Sequence, residues 1–501
     1  MPAGGKDTFE FLNRAHTFPE GETDWRSAEK EKLWRYNLHY FDYLLDRDRP
    51  FGNASSLISG WIAKNPPGTP DAWEPFPVSL RIVNWIRFFL RPEVRSRVEP
   101  AWRKSLYLQL SWLERNVERH LLGNHYFKNG KALLFGGLYF EGNDSERWLQ
   151  TGLRILSGEL REQVLPDGGH FERSPMYHAM ILTDILDLAN LSSGQARLDV
   201  RVVSERLRVT SRSMFSFLLG MTHPDGEIAL FNDAAIGIEA SPRELVAYHE
   251  WLTGIRPGPP DASHWSFPDT GYYVMAPSPG DRLFIDCGPV GPDYQPGHSH
   301  CDTLSFELSL SGRRVVVDSG CAGYPDGEIR RYNRGNTGHN TVTIDGENQS
   351  EVWDAHRCAR RAYPLHARLG EKDGGSLHFE GAHDGYRRLP GSPIHTRAVA
   401  WSGKRIAIDD TVEGAGRHRI ESRLHIHPEL SVRPVDGNIV LYCDSTPVAY
   451  ISSVGGGRIE QSKGHYCPGF GKILSCPVLC VTVADRELPF RGGWRIESFH
   501  D

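Results

Sequence analysis

The sequence predicts a two-domain α+β protein, a helical half followed by an antiparallel β half. Three observations lead there. The chain has 501 residues, enough for two ordinary domains. Apolar residues recur at helical spacing from about residue 28 to 255. Past a proline- and glycine-rich stretch at 254–271, short β-type runs alternate with turn residues.

In the first half, Trp34, Leu38, Phe41 and Leu45 share one helical face, as do Leu106, Leu110, Leu113 and Val117, and Ile181, Ile185 and Leu188. Connectors such as KNPPGTPDAWEPFP (64–77) and LPDGGHFERSP (165–175) separate these segments. Helices joined in this way stack as a bundle, solenoid or toroid. The domains are therefore set at 1–258 and 259–501. The second half reads YYVMA, RLFIDCG, TLSFELSLSG, RRVVVDSG, NTVTIDG, RIAIDDTVEG and VLCVTV, the strands of an antiparallel sandwich.

Charge and cysteine usage narrow the function classes. With 57 basic and 63 acidic residues the formal charge is −6, so no overall positive field exists to hold nucleic acid or an acidic membrane. No apolar run reaches the length of a membrane span. All eight cysteines follow residue 286 and form no CxxC pair, as expected of scattered reduced thiols. The first residues show no basic and then apolar leader. The expectation is a cytoplasmic protein, or a periplasmic or secreted one if an export signal has been trimmed.

Three stretches carry chemistry. In GNHYFKNGKALLF (123–135), Asn124 and His125 precede a predicted helix and offer an amide and an imidazole to a carboxylate. A helix cap and a surface histidine would look the same. In DGGHFERSPMYH (167–178), Ser174 and Pro175 read as an N-cap and a first-turn proline. Tyr177 then lies in the first turn, where the helix end favours phenolate, although a half-buried aromatic residue would also fit.

In GHSHCDTLSFELSL (297–310), read as a strand, His298, His300 and Asp302 share a face with Leu304, Phe306 and Leu308. Neighbouring strands would bring His300, Asp318 and His339 together as a two-nitrogen, one-oxygen metal site. Basic clusters at RRYNR (330–334) and HRCARR (356–361) suit an anionic ligand, or a solvated face.

Taken together the motifs resemble the heparinase II/III superfamily of polysaccharide lyases. The resemblance runs in order through WRYNLHYFDYLL, WEPFPVSLRIVNW, GNHYFKNGKALLF, DGGHFERSPMYH, PGHSHCDTLSFEL and GHNTVTIDGENQSEVW, roughly residues 34 to 353. It implies an N-terminal incomplete (α/α) toroid followed by a C-terminal antiparallel β-sandwich. It also implies β-elimination of a uronic-acid polysaccharide of glycosaminoglycan or alginate type.

By the same resemblance Asn124 and His125 neutralise the substrate carboxylate, while Tyr177 and His298 act as acid and base. Tyr324 and Tyr332 are both candidates for a further active-site tyrosine, and Arg331 and Arg334 for binding the anionic substrate. His300, Asp318 and His339 would hold a structural divalent metal, zinc by ligand type, with manganese as the alternative. The expected partner is an anionic polysaccharide, with no nucleic acid and no membrane. Two other classes stay open: a non-catalytic polysaccharide-binding protein of the same fold, and a glycoside hydrolase, for which Glu172 is one candidate carboxylate.

Overall fold

The computed structural model describes residues 6–19, 21–259, 262–372 and 374–499. The proposed boundary at 258/259 abuts Pro260 and Asp261, which lie outside the described residues. Helix gives way to strand between Thr253 and His264. The chain forms two compact units, residues 1–163 with 184–209, and residues 164–183 with 210–501. Among the described residues no helix is long and apolar enough to cross a membrane.

The first unit opens with a hairpin that the helical reading did not anticipate, Lys6–Phe11 paired with Arg14–Pro19. Phe9 and Phe11 are buried while Thr8 and Glu10 face out, the two-residue alternation of a half-buried strand. Phe11 packs edge-on to Trp34 at 5.2 Å. The helix Lys32–Tyr40 then stops at Phe41, whose φ is +61°, and a 3₁₀ turn Asp42–Leu45 follows. The apolar spacing from Trp34 to Leu45 therefore spans a break rather than one helix, because the tighter turn keeps Leu44 buried.

The helices Pro75–Phe89 and Pro100–Arg115 each begin with proline in the first turn, where the missing N–H is not needed. Their buried faces meet around Arg81. This fully buried guanidinium donates to Gln109, to the carbonyl of His39 and to that of Ala72. It also lies 3.9 Å from the Trp61 ring centroid. Each of its three nitrogens thus donates once and its face meets an aromatic ring, which makes burial of the charge tolerable.

Among the described residues the second unit holds three large antiparallel sheets and a two-stranded one, Val352–Trp353 with Arg357–Cys358. The eight-stranded sheet runs in the order Pro364–Lys372, Ser376–His383, Ile394–Ser402, Arg405–Glu413, Phe490–Ser498, Thr446–Val454, Asn438–Cys443, Leu430–Val435. A five-stranded sheet is built from His264–Phe267, Tyr272–Ser278, Asp281–Asp286, Phe306–Leu310 and Arg313–Val316 in sequence order. A four-stranded sheet joins Ile459–Tyr466, Leu474–Glu487, Arg417–His425 and Val342–Ile344.

One apolar core takes side chains from the three large sheets, among them Ile285, Phe306, Leu424, Ile408, Leu479 and Trp494. Strands such as Arg405–Glu413 alternate buried and exposed residues along their length, as faces packed on one side must. The cysteines are all free thiols. An N-terminal helical region followed by a C-terminal antiparallel β domain is the fold class expected from the sequence.

Candidate active site and metal centre

The site in the second unit begins with the turn 167–173. The Asp167 carboxylate accepts from the Thr270 amide at 2.7 Å and its hydroxyl at 2.6 Å. Gly168 has φ +88°, and a Cβ there would meet the Ser213 carbonyl oxygen at 2.2 Å. Only glycine suits this turn. Gly168→Ala is therefore expected to destabilise the fold by about 1–3 kcal/mol, measured by urea unfolding.

The helix Pro175–Leu191 follows as the sequence predicts. The Ser174 hydroxyl accepts from the Tyr177 amide at 3.4 Å and donates to the Asp233 carbonyl at 2.8 Å.

Tyr177 is buried, and its hydroxyl lies 2.7 Å from that of Tyr324. Its ring sits on His298, with centroids 4.2 Å apart and planes 34° from parallel. Burial, then the negative charges of Glu172 and Asp233, push the phenol pKa well above its ordinary value. The helix end, by its dipole, would favour phenolate. That is corrected, because a terminal dipole contributes only about 0.3–1 kcal/mol and burial outweighs it. The surroundings of Tyr177 thus favour the neutral phenol.

His298 Nδ1 lies 2.9 Å from Asp233 Oδ2, and its Nε2 lies 3.8 Å from Glu172 Oε2. Burial alone would raise the Asp233 carboxyl. The Arg330 guanidinium and hydrogen bonds from His298 and His300 reverse this and hold it well below the usual carboxylate range. An ionised Asp233 accepts, so His298 Nδ1 carries a proton toward it. Asp233 is the residue that sequence reasoning missed. It lies in FNDAAIG, a loop without periodicity, and an Asn-Asp pair in such a loop reads as an ordinary turn.

The segment 297–305 is a loop, not the strand predicted; the strand begins at Phe306. Its backbone bonds go elsewhere: the His300 amide donates to Asn232 Oδ1 at 2.9 Å, and Leu304 adopts φ +64°. Polar side chains that are buried and bonded replace the ladder.

His300 Nε2 lies 2.8 Å from Asp233 Oδ1, and His339 Nδ1 lies 2.8 Å from Asp318 Oδ2. Burial lowers His300 to about 4, despite its bond to Asp233. The remaining nitrogens, His300 Nδ1 and His339 Nε2, are buried without a hydrogen-bond partner among the described residues. His300, Asp302 and His339 each present one ligand atom, and the three atoms lie within 4.8 Å of one another.

Two orphaned imidazole nitrogens beside a carboxylate fit a divalent metal. Asp302 is the carboxylate of this group. Asp318, expected as a ligand, also lies at the pair, its Oδ2 2.8 Å from His339 Nδ1, so the structure brings two carboxylates to the two histidines. Arg397 braces the same region. It is paired with Asp410 at 2.8 and 2.9 Å and donates to the carbonyls of Leu304 at 2.6 Å and Asn340 at 2.5 Å.

The other predicted residues separate. Tyr324 joins Tyr177, whereas the Tyr332 hydroxyl lies 2.9 Å from His425 Nε2 and its ring packs against His465. Arg331 is exposed beside Asp326 at 3.5 Å. Arg334 is buried and donates to the carbonyls of Ser299, Trp353, Asp354 and Arg357. Its expected substrate contact is corrected, since those donors are already used within the protein.

In the first unit Asn124 and His125 lie in the first turn of the helix Gly123–Tyr139, not ahead of it. Asn124 is buried, and His125 Nδ1 lies 3.0 Å from Glu118 Oε1 with its ring 4.3 Å from that of Phe76.

Residues 9–253 match the family described as Heparinase II/III N-terminus, and residues 259–487 that described as Heparinase II/III-like, C-terminal. The heparin-sulfate lyase of Pedobacter heparinus is 26% identical over 318 residues, covering 58% of this chain and 47% of that protein. The heparin-sulfate lyase of Bacteroides thetaiotaomicron is 25% identical over 392 residues, covering 66% and 54%. The chain thus spans about half the length of the curated relatives it matches. A solved structure of heparinase III has the same fold, with a TM-score of 0.75 at 18% identity over 96% of this chain and 80% of that one. Two consecutive family matches, covering nearly all of both halves, place the chain in the heparinase II/III superfamily of polysaccharide lyases.

Proposed function

We propose that the protein is a lyase that cleaves a uronic-acid-containing anionic polysaccharide of glycosaminoglycan type by β-elimination. One observation carries the reading: a neutral Tyr177 phenol stacked on His298, whose Nδ1 is held by Asp233. Elimination needs a base for the proton at C5 and an acid for the oxygen leaving C4. With Nδ1 bonded to Asp233, His298 in its neutral form offers the Nε2 lone pair for the first task, and Tyr177 has the proton for the second. Tyr324 donates to the Tyr177 oxygen as its proton leaves, which limits the charge left on the phenolate.

Removing the C5 proton adds charge to a group that is already anionic, so donors must take it up. Asn124 and His125 are proposed for this role on the resemblance of their motif. Alginate stays as an alternative polymer of the same chemistry. A panel of uronate polymers, followed by the ultraviolet absorbance of the unsaturated product, tests the reading. Tight binding without product on any of them would favour the non-catalytic alternative.

His300, Asp302 and His339 would hold the metal, with Asp318 and Asp233 orienting the two imidazoles. Zinc suits the donors best, and manganese is the alternative. When bound, it supplies fixed positive charge that ties the loop 297–305 to the segment around His339. Adding zinc to chelator-treated protein is expected to raise Tm, by about 2.7 kcal/mol of stability when free ion is about a hundred times its Kd. His339→Gln should lose that response. An equal shift in the variant would sink this assignment.

A further inference from the structure

A short hairpin, Val352–Trp353 paired with Arg357–Cys358, is held by two buried arginines. Arg330 donates to the Ala355 carbonyl from Nε at 2.9 Å and from Nη2 at 2.7 Å. Arg334 donates to the carbonyls of Trp353 at 3.2 Å, Asp354 at 3.1 Å and Arg357 at 3.1 Å. A hairpin of two residue pairs has little stability of its own. Four successive or near-successive carbonyls tied to buried guanidiniums fix its backbone as firmly as a longer sheet would.

What this bracing presents is His356, an exposed side chain at the turn. Its ring centroid lies 5.9 Å from that of His298 and 5.3 Å from that of Tyr324. His356 Nδ1 is 3.2 Å from the carbonyl oxygen of Gly297, the residue before His298. A carbonyl can only accept, so Nδ1 carries the proton and Nε2 keeps a lone pair. Although the side chain is exposed, its ring is partly desolvated where it packs toward His298 and Tyr324, which lowers its basicity and favours this neutral form.

Asp233, His298 and His356 also bring one ligand atom each within 4.8 Å of one another. A cation there would meet the Arg330 guanidinium, already paired with both oxygens of Asp233. A hydrogen-bonding role suits the group better than a metal.

We infer that His356 contacts the substrate and sets specificity: Nε2 accepts a hydrogen bond from a hydroxyl or amide N–H of the sugar next to the scissile bond. A sulfate ester at that position has no donor and sets its oxygens against the lone pair, so it is disfavoured. The inference rests on the lyase reading above.

The test compares wild type, His356→Ala and His356→Gln on paired oligosaccharides of one uronate backbone, carrying either a hydroxyl or a sulfate at the position in question. His356→Ala should lower kcat/KM on the hydroxyl form about tenfold, chiefly through KM, with little change on the sulfated form. His356→Gln restores an acceptor and should recover most of the loss. Unchanged kcat/KM in His356→Ala, or an equal loss on both forms, overturns the inference while the lyase reading stands. Absence of unsaturated product from the wild type on every uronate polymer overturns both.

Discussion

Tyr177→Phe is expected to lower kcat by about 10²–10⁴-fold, the usual worth of a positioned general acid, with the fold intact. The substitution removes one oxygen and keeps the ring on His298, so the 4.2 Å stack survives. The hydrogen bond to Tyr324 is lost, which costs about 1 kcal/mol of stability. A thermal melt alongside the product assay separates the two effects. Tyr324 is a poorer substitute, because its hydroxyl sits behind that of Tyr177, 2.7 Å from it, one group further from His298 in the proposed transfer. Tyr324→Phe should therefore retain more activity than Tyr177→Phe. Full turnover by Tyr177→Phe would remove Tyr177 from the chemistry.

Asp233→Ala should be the most destabilising single change at the site, by about 3–5 kcal/mol, the cost of leaving a buried guanidinium without its counter-charge. Arg330 is almost wholly buried, and its Nη2 lies 2.9 Å from Asp233 Oδ2. His298 and His300 lose their acceptors in the same variant. The pH dependence has a definite sign. The folded carboxyl lies well below its unfolded value of about 3.9, so its contribution is complete above that pH. It is lost as pH falls from there through the lower folded value. Urea midpoints of wild type and variant should differ by a constant amount from neutral pH down to about pH 5 and converge in stronger acid. A gap that stayed constant throughout would show that Asp233 is not the group titrating.

Legibility in the sequence followed the physics of each signal. Periodicity revealed the helices and strands because it records which face is buried, as in Pro100–Arg115 and Arg405–Glu413. It failed at His298–Leu304, where alternating polar residues are buried in a loop and imitate a strand. The residues of the Tyr177 and His298 group were legible through their motifs, yet Tyr324 could not be separated from Tyr332, since both choices satisfy the same spacing. Asp233 was invisible because its importance comes from three partners, His298, His300 and Arg330, between 65 and 97 residues further along the chain. The approach of Asp302 to His300 and His339, beside Asp318, was hidden for a similar reason. Which carboxylate meets which ring nitrogen is set by ring orientation, a property that has no counterpart in residue order.

All three candidate metal ligands fall between residues 300 and 339, but the carbonyls of Leu304 and Asn340 are bridged by Arg397, which is itself neutralised by Asp410. The portion of chain that encodes the ligands is therefore shorter than the portion that shapes them. A segment ending before the strand Ile394–Ser402, or one grafted onto another scaffold, would carry every donor atom without the cation that spaces them. For protein engineering, the transferable unit of this site is a sandwich strand and its neighbour together with the two loops, not the loops alone.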